Sequence, residues 1–150
     1  MERDEYIYYR FMKDATDDDY ISLDESGLIL VLEDKLGLSD DKMDEIVGMI
    51  QEGKGPNIND EELEEIKNDQ SNHIYEKKVY KDVLEEALMD EDIKKDEFSL
   101  MSTLSTVMNI TREEKEEIYR DVKDDIEREK EEEEVPGLVQ RTRHLLGMED

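Results

Sequence analysis

The chain of 150 residues has no cysteine and no tryptophan, and only two prolines, two phenylalanines and two histidines. Without cysteine there are no disulfides, thiolate nucleophiles, zinc fingers or iron–sulfur ligands. The longest unbroken apolar run, Leu28 to Leu32, is far short of the roughly 18 residues that a membrane-spanning helix needs. Met1-Glu2-Arg3-Asp4-Glu5 carries no apolar signal region, so a cytoplasmic location is expected. Positive charge is scarce as well. Twenty Lys and Arg stand against 46 Asp and Glu, a net charge of -26. Such a surface repels phosphate, and direct binding of nucleic acid is not expected.

Hydrophobic residues make up 35% of the chain, below the usual range of about 45–50%. A core can form only if they are regularly placed, and they are. Shifting the chain on itself by 72 positions superposes apolar columns through three successive segments. Ile7, Tyr8, Phe11, Met12 and Ala15 fall on Val79, Tyr80, Val83, Leu84 and Ala87. Leu28, Ile29, Leu32, Leu36 and Leu38 fall on Leu100, Met101, Leu104, Met108 and Ile110, and Ile46, Val47 and Ile50 on Ile118, Tyr119 and Val122. Acidic matches are cheap in so acidic a chain, so the apolar columns carry the weight. Leu28 to Leu32 alone could be a buried strand, but its partner Leu100 to Leu104, continued by Val107 and Met108, has helical spacing.

The expected fold is therefore all-α, with two related three-helix units packed as one domain about a pseudo-twofold axis. Unit 1 covers residues 1–52, a linker with a short helix 53–71, unit 2 residues 72–134, and an amphipathic tail 135–150. Ser22 with Glu25, and Thr111 with Glu114, read as capping boxes. Gly37 and Asn109 are suited to left-handed helix ends, Ser39 is a further N-cap, and Gly53-Lys54-Gly55-Pro56 is a break.

The turn between the first and second helices of each unit is dense in carboxylates. Aligned on Ile21, Asp14 to Glu25 spans twelve residues, the length of an EF-hand calcium loop, with Asp14, Thr16, Asp18 and Glu25 at ligand places. In the second copy Glu86, Leu88, Asp90 and Glu97 take those places, aligned on Ile93. A chain with no cysteine and two histidines offers mainly oxygen, which suits calcium or magnesium. Against this, the loop's glycine is Asp19 or Glu91 here, and Leu88 donates nothing. Three readings stand open: an EF-hand-like calcium site, loose divalent binding by Asp14, Asp18, Asp19, Glu25, Glu86, Asp90, Glu91 and Glu97, or acidic caps meeting the helix dipole while Ile21 and Ile93 plug the core.

The run Leu84-x-x-Ala87-x-x-Asp90-Glu91-Asp92-Ile93-x-x-Asp96-Glu97-x-x-Leu100-x-x-x-Leu104-x-x-x-Met108-Asn109-Ile110-Thr111-x-x-Glu114 resembles the TerB-like helical domain of tellurite-resistance proteins. Unit 1 carries the pattern through Asp18-Asp19-x-Ile21-x-x-x-Glu25-x-x-Leu28-x-x-x-Leu32-x-x-x-Leu36-Gly37-Leu38-Ser39. The family's usual Asp-Gly is Asp18-Asp19 and Asp90-Glu91 in this chain. The resemblance implies a non-enzymatic module, stress-linked or peripheral to membranes, with acidic residues proposed to bind metal.

No nucleophile, base and orienting group can be assembled from these residues, and no enzyme is expected. No cofactor is required, with calcium or magnesium the cations the turns would take. A protein partner is expected, through two features. Leu30 and Val31 are apolar where Ser102 and Thr103 should face water, so either the connecting helix (Leu63, Ile66) or a second protein covers them. In the tail, Leu138, Val139, Leu145 and Leu146 surround Arg141, Arg143 and His144, the only basic-hydrophobic stretch. It would dock on the protein's own acidic body or in a partner's groove. A chain so acidic could also act as a decoy for a basic partner.

Overall fold

The computed structural model describes residues 1–17, 20–89 and 93–134, with side chains as far as Glu129. Among them are seven α-helices and no strand: α1 (Arg3–Ala15), α2 (Leu23–Leu36), α3 (Asp40–Gln51), α4 (Asp60–Asn68), α5 (His73–Leu88), α6 (Lys95–Val107) and α7 (Arg112–Glu134). No helix among the described residues is long and apolar enough to cross a membrane.

Short-range chemistry sets the helix ends. The Ser22 hydroxyl accepts the Glu25 N–H while the Glu25 carboxylate accepts the Ser22 N–H, both at 3.1 Å. The same exchange joins Thr111 and Glu114 at 2.9 and 3.2 Å. Ser39 and Asn59 cap α3 and α4 through the N–H groups of Lys42 and Glu62. α2 stops at Gly37 with φ +67°, and α6 ends before Asn109 with φ +57°. Glycine pays no Cβ penalty in that left-handed region, and asparagine is among the side chains that tolerate it best.

α1 and α5 each pack on helices from both the N-terminal and the C-terminal part of the chain. α1 packs on α6, α3 and α2, and α5 packs on α2, α7 and α6. The core is built from the apolar columns. Ile7, Phe11, Ala15, Leu28 and Leu32 are fully buried, and Val79, Val83, Ala87, Leu100 and Leu104 are buried to the same degree. The starts of α2 and α6, Leu23 and Lys95, are 72 positions apart, as are those of α3 and α7, Asp40 and Arg112.

Three expectations fail in packing. Ile21 does not plug the core but is 37% exposed, because it precedes the extended N-cap Ser22 and so stands off the inward stripe of α2. Ile93 is half-buried against the core. The connecting helix α4 packs on α1 and leaves Leu30 65% exposed, while Val31 is half-buried against the core. Thr103 does not simply face water: it is half-buried and donates to Asp14 Oδ2 at 2.7 Å.

Candidate functional site

The carboxylates of the first acidic turn do not stand alone. Asp14, in the last turn of α1, accepts from the hydroxyls of Ser99 at 3.1 Å and Thr103 at 2.7 Å, both on α6. Asp14, Asp17 and Glu25 line one small cavity of about 230 Å³, with Lys95, Asp96 and Ser99 opposite. Glu25 is buried, and one of its oxygens is held by its own helix cap. α6 thus lies against the end of α1, where the first acidic turn begins.

The second turn is arranged differently. Glu97 is buried and accepts the Lys94 N–H at 3.3 Å, in the manner of Glu25. Glu86 is exposed, and its carboxylate lies over Gly27 of α2, where an added Cβ would stand 3.0 Å from Oε1. Gly27 and Val31 hold in α2 the places that Ser99 and Thr103 hold in α6, so Glu86 lacks the hydroxyl donors that Asp14 has. Asp24 Oδ2 pairs with Lys94 Nζ at 2.6 Å, tying the start of α2 to the start of α6. Asp18, Asp19, Asp90 and Glu91 lie outside the described residues, as do Leu138, Val139, Arg141, Arg143, Leu145 and Leu146. Among the described residues, no three acidic or histidine side chains converge in a metal-holding group.

The strongest polar arrangement is one the sequence reading missed. Arg3, in the first turn of α1, is 8% exposed, and Glu76, in the first turn of α5, is 1% exposed. Arg3 Nε and Nη2 donate to the two Glu76 oxygens at 2.7 and 2.8 Å. The remaining guanidinium donors go to the carbonyls of Ile66, Lys67 and Val107, so all five N–H groups are satisfied. The Asn109 amide adds a 2.6 Å bond to the Lys67 carbonyl. One arginine therefore ties the starts of α1 and α5 to the ends of α4 and α6. The available signal was Glu76 itself, a carboxylate on the inward stripe that continues through Val79, Tyr80 and Val83.

Two kinds of contact recur at positions 72 apart, one between distant halves of the chain and one within a half. Arg3 donates to the Val107 carbonyl, and Tyr75, 72 positions on, donates to the Lys35 carbonyl. Lys42 pairs with Glu5 at 3.9 Å, whereas Glu114 pairs with Lys77 at 3.3 Å, the same two places with the charges exchanged. Glu114 also accepts the Thr111 N–H and lies 3.0 Å from His73 Nε2. The Thr111 backbone bond, together with His73 and Lys77, holds its carboxyl down at about 2. Asp4 is shifted the other way, by burial and by the nearby Glu76 charge.

Neither a protein-family model, nor a curated protein, nor a solved structure matches this chain.

Proposed function

We propose that the protein is a non-catalytic interaction and regulatory module of the TerB-like kind, built of two related units, with divalent cations modulating it at the acidic turns. The observation that carries this reading is on α2. Leu23 and Leu30 are 89% and 65% exposed, and seven positions apart they share one face of the helix. At the same offset α6 carries Lys95 and Ser102. Two leucines kept in water on one face of a helix are the kind of feature that marks a protein contact. The test is a photo-crosslinking residue placed at Leu30 or, as control, at Ser102, in cells of the native host. A partner captured from position 30 and not from 102 supports the reading, and equal capture or none from position 30 sinks it.

The cation part of the reading rests on Asp14, Asp17 and Glu25 lining a common cavity, where they do not converge as a ready-made metal group. Millimolar calcium or magnesium should raise the melting temperature more than sodium chloride of matched ionic strength. Equal rises would mean screening of the net charge and no specific site.

A further inference from the structure

Between α1, the connection over residues 53–59 and α4 lies a cleft of about 450 Å³. Its lining is richer in cations than the chain as a whole. Arg10 and Lys13 of α1 and Lys67 of α4 line it. Among the described residues none of the three is in a salt bridge, and Lys13 lies over the ring of Tyr9 at 5.9 Å. On a chain with 46 carboxylates against 20 cations, this lining sets three cations against the two carboxylates of Asp14 and Asp17, a local excess of one positive charge. Asp17 stands at the cleft, and so does Asp14, whose oxygens are engaged by Ser99 and Thr103.

The floor of the cleft adds neutral donors. Tyr6 and Tyr9 are 4% and 5% exposed, so their rings are fixed in the core, and both line the cleft. Neither hydroxyl has a hydrogen-bond partner among the described residues, and neither is sealed from solvent. Pro56, Ile58 and Leu63 supply an apolar wall. Arg10, Lys67 and Tyr6 also line an adjoining cleft of about 310 Å³ beside Asn68 and Asn109, so the two spaces meet at the cations.

We infer that this cleft binds a small organic phosphate, its phosphate held by Arg10, Lys13 and Lys67 and its apolar body laid against Ile58 and Leu63. A phosphate has the acceptor capacity to use a guanidinium fork, two ammonium groups and two phenol donors together, whereas a single carboxylate would leave donors unmet. A free small molecule suits the site better than a bilayer or a nucleic acid. The net charge of -26 repels an extended polyanion, while a small ligand within a Debye length of about 8 Å meets three cations against two carboxylates at the cleft.

Titration of the isotope-labelled full chain with adenosine 5′-monophosphate, inorganic phosphate and adenosine, followed by amide NMR, tests this. The monophosphate should shift the amides of Tyr6, Tyr9, Arg10 and Lys67, and bind about tenfold more tightly than either inorganic phosphate or adenosine. The double variant Arg10→Gln/Lys67→Gln should weaken binding by about tenfold or more with an unchanged melting temperature. Should that variant unfold, Lys13→Gln, on an exposed side chain, carries the same expectation. No shifts at millimolar monophosphate, equal binding of adenosine, or unchanged affinity in the folded variants would overturn the assignment. Arg10-dependent sedimentation with phosphatidylglycerol vesicles, without binding of the soluble phosphate, would overturn it too, in favour of a membrane surface.

Discussion

Arg3 and Glu76 are 73 residues apart in the chain, yet they face each other as a doubly hydrogen-bonded ion pair at 2.7 and 2.8 Å, almost wholly removed from water. Such a pair is a modest source of net stability, because desolvating two charges offsets most of their attraction. It is a strong source of specificity. The guanidinium donates to carbonyls in the last turns of α4 and α6, where helix carbonyls lack their intrahelical partners, and so fixes how α1, α4, α5 and α6 meet.

Removing one partner should therefore be far worse than removing both. Arg3→Met or Glu76→Leu should each cost about 3–5 kcal/mol, since each leaves a buried charged group unmet. The double variant Arg3→Met/Glu76→Leu should recover a large part of that loss. Chemical denaturation of the three variants measures this, and additive losses would contradict a coupled pair.

Leu32 and Leu104 are fully buried and occupy the same place in α2 and α6. Truncating either to Ala should cost about 2–5 kcal/mol by opening a cavity in the core. If one variant melted like the parent, the two helices would not contribute equivalent core positions.

Asn109 has two tasks, the left-handed turn at φ +57° and the bond to the Lys67 carbonyl. Asn109→Ala loses both and should cost about 2 kcal/mol, from about 1 for the left-handed backbone and about 1 for the bond. Asn109→Gly loses only the bond and should cost less. Thermal melts that rank Gly below Ala would refute this division.

Two carboxylates should act oppositely on the pH dependence of stability. Glu114 titrates at about 2 in the folded protein against 4.5 as its ordinary value. Its contribution is present above pH 4.5 and is lost as pH falls through that window toward 2. Glu114→Gln should be less stable than the parent at pH 7, by about 1 kcal/mol on the scale of a lost helix cap, and indistinguishable near pH 2. Asp4 is raised by burial and by Glu76, so its charged form disfavours folding at neutral pH. Asp4→Asn should melt higher at pH 7 and lose that gain below the ordinary aspartate range. Melting curves across pH 2–8 would expose either sign as wrong.

The helices and most of their ends were legible along the chain. Ser22, Ser39, Asn59 and Thr111 cap through bonds made within three residues, and Gly37 and Asn109 end helices by a property of single residues. The inward faces were legible for a related reason: burial of a helix stripe depends on spacing, and the two sets of apolar columns kept the same spacing. What was not legible needed partners distant in sequence. The capping role of Glu25 could be read from Ser22, but the hydroxyls of Ser99 and Thr103 on Asp14 could not, because α1 and α6 meet only in the folded chain. Leu30 and Val31 looked alike in sequence, and the packing of α4 on α1 left one in water and the other half-buried. Arg3 could not be distinguished from Arg10 by type or by helix. One neutralises Glu76 inside the core and the other lines an open cleft, because a charge's role is set by the groups that surround it, and distant helices supply those groups.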